Sequence, residues 1–331
     1  MKKTVLLLFM LTALTAGAQV LKKRTTKLMG SRWDITLVAP DSLTAVRHID
    51  TVIAEVSRIE HLISDWMPGT QISQVNKNAG IRPVKVDKEV FELTKRALNL
   101  SRLTGGAFDI SFAAMDRIWK FDGSMTVMPS AEMIRKSVEK VGYKNIILDS
   151  ARSTIFLRLP GMKIGFGALG EGYAADKSRE LMLAKGIKAG IVNGSGDMST
   201  WGKQPDGSDW AIGITNPMRE DTLLAVVPLK QHAVVTSGSY EKFVVFNGKR
   251  YAHIINPATG YPATGLCSVT VFGPSAETAN GYSTSMMVLG EKRAIAFIRQ
   301  FPAYSYIIIT DKGKIVSSPE LEFKRRKVIT N

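Results

Sequence analysis

The chain of 331 residues is 45% hydrophobic and 22% charged, which is typical of a globular protein with a large core and excludes a disordered or fibrous chain. Its formal net charge is +15, but basic residues with interleaved aromatic residues are not seen, so we expect no nucleic-acid partner. The single cysteine, Cys267, excludes an internal disulfide, and its place in a strand-like run favours a small buried residue over a catalytic thiol.

The first eighteen residues have the pattern of a secretory signal peptide. Lys2 and Lys3 precede an apolar run over 5–14, and a small-residue cleavage motif follows at 16–18. The run is too short to span a bilayer, and the absence of a cysteine at the cleavage site argues against a lipid anchor. We therefore expect a periplasmic protein that begins at Gln19. The expected organisation is a signal peptide (1–18), a basic tail (19–27), one folded domain (28–322) and a second basic tail (323–331).

In the first half of the chain, apolar spacing predicts a strand at 28–38 and an amphipathic helix at 43–63. A turn-rich stretch at 64–69 and a polar segment at 73–78 follow. A second helix is expected at 88–103, closed by two glycines, and a third from Ser130 to Val141 with the serine as its cap. Strands are expected at 145–148 and 154–157.

In the second half, a short strand at 162–166 leads through a glycine-rich turn into a helix that starts near Tyr173. The other expected strands are 189–192, 210–214, 224–228, 233–235, 243–246, 268–272 and 304–310, and the other expected helices are 276–289 and 291–301. With no linker and no internal repeat, these elements predict a single compact α+β unit of mixed sheets and helices, with a ligand cleft between two lobes.

The glycine-rich stretch, residues 163–176, is the first candidate for a binding site. Its glycines, at 165, 167, 170 and 172, let the backbone approach a ligand closely, and the following helix offers N–H groups to an anion. The spacing matches neither a Walker loop nor a dinucleotide fingerprint. Taken alone, a plain connection between strand and helix is the more common role of such a stretch.

Three other segments carry groups that suit catalysis or metal binding. His253 precedes a Pro/Gly turn and is able to transfer a proton near neutral pH, although a structural hydrogen bond explains a lone histidine equally well. The hydroxyl-rich segment 236–240 is expected to be a turn that binds phosphate or caps its own backbone. Asn280 and Thr284 lie four apart on a predicted helix, so their oxygens share a face that suits Mg²⁺ or serves as a helix cap.

Six segments in order resemble the FAD:protein FMN transferase family, the ApbE family, from about Met29 to Glu320. These segments are 29–30 (MG), 64–76 (SDWMPGTQISQVN), 104–109 (TGGAFD), 165–176 (GFGALGEGYAAD), 236–240 with 253–262 (TSGSY and HIINPATGYP), and 268–290, which includes ETANGYSTSMMVLG. Each motif is modest, and their shared order carries the resemblance.

The resemblance implies a chemistry and a set of partners. Members of the family bind FAD with Mg²⁺ and move the FMN part onto a threonine hydroxyl of a partner protein, releasing AMP. The resemblance also implies that the acceptors are exported flavin domains of membrane redox complexes.

The resemblance also implies the site residues. Flavin contacts fall on Met29, Trp66, Gly165, Glu171 and Ile254, and on the turn formed by Ala107, Phe108 and Asp109. Metal ligands fall on the backbone carbonyl of Ala168 and on Asn280, Ser283 and Thr284, with His253 as the proton acceptor for the incoming threonine or the donor to the leaving AMP.

The sequence departs from the family pattern at several of these positions. Asn280 and Gly165 stand where members commonly have aspartate, which reduces the negative charge expected around the metal. Asn256 replaces a frequent aspartate next to His253, and Trp66 stands where tyrosine is frequent. Three hypotheses remain at the level of sequence: an FMN transferase, a Mg²⁺-dependent pyrophosphatase that splits FAD into FMN and AMP, and a flavin-binding protein without turnover.

Overall fold

A computed structural model describes residues 19–115, 118–230, 232–240 and 242–321, together with the backbone of 324–325. The expected signal peptide and most of the expected C-terminal tail lie outside these residues. Within the described ranges, none of the helices combines the length and hydrophobicity that crossing a bilayer requires.

Helices and strands alternate irregularly along the chain. The helices are α1 (Ser42–Ile63), α2 (Gln71–Lys77), α3 (Lys88–Leu103), α4 (Ala131–Ser137), α5 (Gly170–Ala184), α6 (Ala276–Leu289) and α7 (Glu291–Ile298). The strands are β1 (Val20–Leu28), β2 (Ser31–Ala39), β3 (Val84–Lys85), β4 (Ile146–Asp149), β5 (Thr154–Leu157), β6 (Ala189–Gly194), β7 (Asp197–Trp201), β8 (Ala211–Asn216), β9 (Arg219–Pro228), β10 (Ala233–Gly238), β11 (Phe243–Phe246), β12 (Lys249–Ala252), β13 (Leu266–Gly273), β14 (Ser305–Thr310), β15 (Ile315–Ser317) and β16 (Lys324–Arg325).

An eight-stranded antiparallel sheet in the order β1-β2-β6-β7-β10-β13-β14-β15 forms the centre of the protein. Helices α1, α5 and α6 pack on one face of it, and the β8–β9 hairpin covers the other. The two-residue period of a strand divides the apolar side chains between these layers. On β10, for example, Ala233 and Val235 face the helices, whereas Val234 faces the hairpin.

Two smaller units extend this layered core. A three-stranded sheet in the order β3-β5-β4 packs with α2 beside the helical layer. A separate apolar cluster joins the β11–β12 hairpin to α4, with Trp119, Ile134, Val244 and Ile255 at its centre. The indole Nε1 of Trp119 donates to the carbonyl oxygen of Gly260 (2.9 Å), which ties this cluster to the turn that follows His253.

The long periodic helices form where the sequence predicts them. In α1 the side chains of Ile49, Val52, Val56 and Ile59 are all buried, and Asp41 caps the helix by accepting from the amide of Thr44. Helix α3 spans the predicted residues 88–103. The prediction of a single compact α+β unit is confirmed.

The expected basic tail, residues 19–27, instead lies almost entirely in β1 (Val20–Leu28). This strand pairs with β2 along its whole length, from Val20 opposite Ala39 to Leu28 opposite Ser31. Its lysine and arginine side chains lie on an edge strand with one exposed face, so their charges do not oppose strand formation. The prediction of a tail was wrong, because the many charged side chains do not prevent the backbone of this segment from pairing with β2.

Four shorter predictions also needed correction. Residues 162–166 do not form a strand, because the side-chain amide of Asn76 donates to the carbonyl oxygen of Ile164 and accepts from its amide, in place of a neighbouring strand. The polar segment at 73–78 lies mostly in α2, whose Ile72 and Val75 are buried. Helix α4 ends at Ser137 instead of reaching Val141, and residues 236–238 belong to β10 instead of a turn.

Candidate functional site

Several of the segments that carry predicted site residues meet at one end of the central sheet. Strand register places the β1–β2 turn, the β6–β7 turn, the end of β10 and the start of β13 at that end: Trp33 pairs with Gly194, Gly194 with Asp197, and Gly238 with Ser268. The start of α5 and the middle of α6 pack against the same end. Segments far apart in sequence therefore meet here.

Met29 occupies the two-residue turn between β1 and β2. It has a left-handed backbone (φ 51°), as does Gly30 (φ 76°), a pair of positive φ values typical of a type I′ hairpin. The Met29 amide donates to Oε2 of Glu60 (3.0 Å), and its methyl group lies where a side chain at Gly170 would sit. Glu171, in the first turn of α5, accepts from Ser31 Oγ (2.5 Å). The structure therefore brings Met29 and Glu171 together.

The glycines of 163–176 have separate roles instead of forming one turn. Helix α5 begins at Gly170, so Gly170 and Gly172 lie inside the helix. A Cβ added to Gly172 would lie 2.5 Å from the carbonyl oxygen of Ala276 on α6, which makes this glycine a helix-packing residue. A Cβ added to Gly167 would meet nothing within 4 Å, so Gly167 leaves open space next to Ala168. The carboxylate of Asp65 fills the space beside Gly165.

Trp66 presents its ring to solvent, with 67% of the residue exposed. The amides of Trp66 and Met67 both donate to Oγ of Ser64, which fixes the turn that carries the indole. An exposed aromatic ring on a fixed turn is able to stack on a planar ligand.

The turn of residues 107–109 contributes in a different way from Trp66. Phe108 is only 3% exposed and belongs to the main core, so its ring is not available for flavin stacking. Both carboxylate oxygens of Asp109 accept hydrogen bonds, from the amide and hydroxyl of Ser111 and from the amide of Tyr143. Burial raises the pKa of Asp109, although these three donors act against the rise. Ala107 is also buried, so all three side chains of this turn are used within the protein.

His253 directly follows β12 and is half-buried. Its Nδ1 lies 3.3 Å from the carbonyl oxygen of Lys242, and its backbone amide donates to the same oxygen (3.0 Å). A carbonyl only accepts, so in the neutral ring Nδ1 carries the proton and Nε2 has the free lone pair. Burial lowers the pKa of His253 below its usual 6.5, opposed by the hydrogen bond to Lys242 and reinforced by the Lys242 charge. The ring is therefore neutral at pH 7 and able to accept a proton at Nε2.

The segment after His253 is fixed by its own hydrogen bonds. Asn256 Oδ1 accepts from the amide of Ala258 (2.9 Å), a bond that an aspartate would make equally well. The orientation of His253 depends on Lys242 and not on Asn256. Ile254 is buried in the main core, and its carbonyl oxygen accepts from the amide of Ala263.

Helix α6 carries Asn280, Ser283 and Thr284 on the side that faces β10. Ser283 is fully buried, and its hydroxyl donates to the carbonyl oxygen of Asn280 (3.0 Å). Ser237 on β10 then donates to Ser283 Oγ (2.8 Å) and is 3.3 Å from Thr284 Oγ1. Donation from Thr284 to Ser237 completes the chain and leaves lone pairs on Thr284 Oγ1 for a cation. The Ser283 hydroxyl is used within the protein.

Asp197, at the start of β7, accepts a short hydrogen bond from the side-chain amide of Asn280. Gly281, next to Asn280, packs against Leu169, which brings Ala168 toward the same part of α6. Among the described residues no three histidine, cysteine, aspartate or glutamate side chains come together as a metal-binding group. Oxygen ligands here would come from Ala168, Asn280 and Thr284, a set that suits a hard cation such as Mg²⁺.

A separate cavity of about 380 Å³ lies between α3 and α6, lined by residues that include Arg96, Leu100, Leu169 and Glu277. None of the predicted site residues lines it.

Comparison with known proteins places the fold. The model of the ApbE family matches residues 29–308. The chain belongs to the ApbE family. It is similar to a protein named FAD:protein FMN transferase from Klebsiella pneumoniae, with 31% identity over 86% of this chain and 83% of that protein. An Escherichia coli protein of the same name is 28% identical over 89% and 87% of the two chains. The crystal structure of the ApbE protein from Thermotoga maritima has a TM-score of 0.82 at 29% identity, covering 91% of this chain and 97% of that one.

Sequence reasoning missed three groups of this ApbE-family site. Asp197 was not among the candidate site residues, and its contact with Asn280 spans 83 residues, which no local pattern reveals. Ser237 was assigned to a turn, whereas its place on β10 directs it to α6. The Lys242 carbonyl is a backbone group, so no side-chain pattern in the sequence indicates its contact with His253.

Proposed function

We propose that this ApbE-family protein is an FAD:protein FMN transferase, which moves the FMN moiety of FAD to a threonine hydroxyl of a partner protein and releases AMP. The observation that carries the proposal is the match, over most of both chains, to proteins of that name. The exposed ring of Trp66, the Nε2 lone pair of His253 and the side-chain oxygens of α6 are the kinds of group that such a reaction needs, and they support it.

The proposed reaction breaks one phosphorus–oxygen bond and forms another. The threonine oxygen bonds to the FMN phosphorus, and the bond from that phosphorus to the oxygen retained by AMP breaks. The threonine proton moves to His253 Nε2, which Lys242 leaves unprotonated by accepting from Nδ1. Trp66 holds the flavin by stacking, and the open space at Gly167 admits the phosphates.

The donor set of the site fits Mg²⁺. Asn280 Oδ1, Thr284 Oγ1 and the Ala168 carbonyl oxygen would hold the ion, all of them neutral oxygens that leave room for phosphate ligands. A bound Mg²⁺ would neutralise negative charge on the pyrophosphate. Ser283 supports this set by anchoring the carbonyl of Asn280.

The test combines the purified chain with FAD, Mg²⁺ and a flavin-domain acceptor, and measures the intact mass of the acceptor and the AMP released. One covalently bound FMN per acceptor, together with one AMP, supports the transferase. AMP released equally without acceptor indicates the pyrophosphatase, and FAD bound without AMP release indicates a protein without turnover. An acceptor with its target threonine replaced by valine is the matched control, and it should gain no mass.

We further propose that the protein acts in the periplasm on exported flavin domains of membrane redox complexes. The signal-peptide pattern of residues 1–18 supports this location. Amino-terminal sequencing of the protein recovered from its native host should begin at Gln19. Recovery of the exported protein with Met1 intact would contradict cleavage at that site.

A further inference from the structure

The contact between Asn280 and Asp197 is the starting observation. Both residues are buried, at 5% and 7% exposure, and the amide of Asn280 donates to Oδ2 of Asp197. The contact joins the first residue of β7 to the second turn of α6. Strand alternation puts Asp197 on the helix-facing side of the sheet with Ser199 and Trp201.

This contact fixes the direction of the Asn280 amide. An ionised carboxylate has only acceptor atoms, so the amide must turn its NH₂ group toward Asp197. The other end of the same planar group, Oδ1, then faces away from Asp197. A side-chain amide without such a partner is able to rotate and present either its oxygen or its NH₂ group, and only the oxygen binds a cation.

The Asp197 carboxylate also supplies negative charge next to the ligand set. The ligands on α6 and at Ala168 are neutral, and a hard divalent cation is bound more tightly where a full negative charge is close. A carboxylate hydrogen-bonded to a ligand polarises that ligand and strengthens its binding. On the other side of Asn280, its backbone carbonyl is fixed by Ser283 and through it by Ser237.

We propose that Asp197 is the positioning residue of the metal site: it orients Asn280 so that Oδ1 faces the cation, and it provides the carboxylate charge that Asn280 lacks. The inference rests on the proposed metal-dependent transfer. The proposal gives strand β7 a role in a metal site whose ligands lie on α6 and in the glycine-rich stretch.

The experiment measures Mn²⁺ binding instead of activity, by the loss of the free Mn²⁺ electron paramagnetic resonance signal as the ion is titrated into the full chain with FAD present. Asp197→Asn should weaken Mn²⁺ binding at least tenfold, the size of effect that loss of such a partner usually has. Asp176→Asn is the matched control, because Asp176 has the same 7% exposure and also accepts several hydrogen bonds, from Ser199, Ser275 and the amide of Glu277. It should leave Mn²⁺ affinity unchanged.

A second comparison covers the case in which Asp197→Asn does not fold. Asn280→Asp and the double variant Asp197→Asn with Asn280→Asp differ only at position 197, where the double variant lacks the carboxylate, and both retain a carboxylate at position 280. Asn280→Asp should bind Mn²⁺ at least tenfold more tightly than the double variant.

Equal affinities, within twofold, in either comparison would overturn the proposal for Asp197. If the parent protein binds Mn²⁺ and only the effect of Asp197 is missing, the proposed transferase stands and this inference alone fails. If the parent binds no Mn²⁺ with FAD present, both fail.

Discussion

Substitution of Gly172 by alanine should destabilise the protein, although it lies in a helix, where alanine is the better helix former. The added Cβ would lie 2.5 Å from the carbonyl oxygen of Ala276 and 2.7 Å from its carbonyl carbon, against 3.4 Å or more for an ordinary contact. Both are backbone atoms of α6, so no rotamer change relieves the overlap, and α5 and α6 must move apart.

The magnitude follows from two opposing effects. Overpacking of a core typically costs 1–3 kcal/mol, and a contact this short lies at roughly the upper end of that range. The gain in helix propensity from glycine to alanine is about 1 kcal/mol. The net loss in the free energy of unfolding is therefore about 2 kcal/mol, which lowers the Tm by roughly 3 °C in a chain of this length, because the unfolding entropy is about 2.1 cal/mol/K per residue.

The assay is thermal unfolding followed by circular dichroism, with Gly167→Ala as the matched control. Gly167 lies in the same stretch, does not have a positive φ, and would place its Cβ in open space. Its Tm should match or slightly exceed that of the parent, because alanine restricts the unfolded chain by about 0.4–1 kcal/mol. A Gly172→Ala variant as stable as Gly167→Ala would refute the packing role assigned to Gly172.

Three further predictions concern the site. Trp66→Ala should weaken FAD binding about fivefold and leave the Tm unchanged, because one good ring contact contributes roughly 1 kcal/mol to binding. Quenching of flavin fluorescence measures the FAD affinity. The transfer rate should fall as the pH drops through the pKa of His253, which lies below 6.5, because only the neutral ring accepts a proton. A profile of rate against pH measures this fall, and the residual activity of His253→Gln should not show it. Thr284→Val should raise the Mg²⁺ concentration needed for AMP release, because it removes a ligand oxygen. Asn280→Asp should lower that Mg²⁺ concentration. It should also make the Tm depend on Mg²⁺, because the two contacting carboxylates repel each other without the cation.

Each of these predictions has an outcome that contradicts it. Unchanged FAD affinity in Trp66→Ala removes the stacking role. An acid limb retained in His253→Gln assigns the titration to another group. Superimposable Mg²⁺ curves for the parent, Thr284→Val and Asn280→Asp would show that α6 does not hold the metal.

The sequence predicts the elements whose signal is local. The regular spacing of apolar residues in α1 and α3 located both helices, because burial of one helical face leaves that period in the sequence. Strand β1 was missed because an edge strand buries little, and its charged face resembled a tail. For Gly172, the sequence left a ligand contact and a plain connection open, and only the approach of α6 reveals a packing role.

The site was predictable only in part, for a related reason. The structure brings Met29 close to the start of α5 and places Asn280 and Thr284 on the face of α6 that meets β7 and β10. What orients the site residues, such as the Lys242 carbonyl and the Asp197 carboxylate, depends on strand register and helix packing. Phe108 looked suitable for stacking, but the turn directs its ring into the core.

The order of strands in the central sheet has a consequence for how the protein folds. Strand β2 pairs with β6 across about 150 residues of chain, and β13 must be present before β10 and β14 find their common partner. Such distant pairing makes folding slow, and synthesis must reach β15 before the sheet is complete. Every shortened chain that ends before β13 lacks α6 as well, and so lacks Asn280 and Thr284. Chains that end before β13 should therefore lack the proposed metal site.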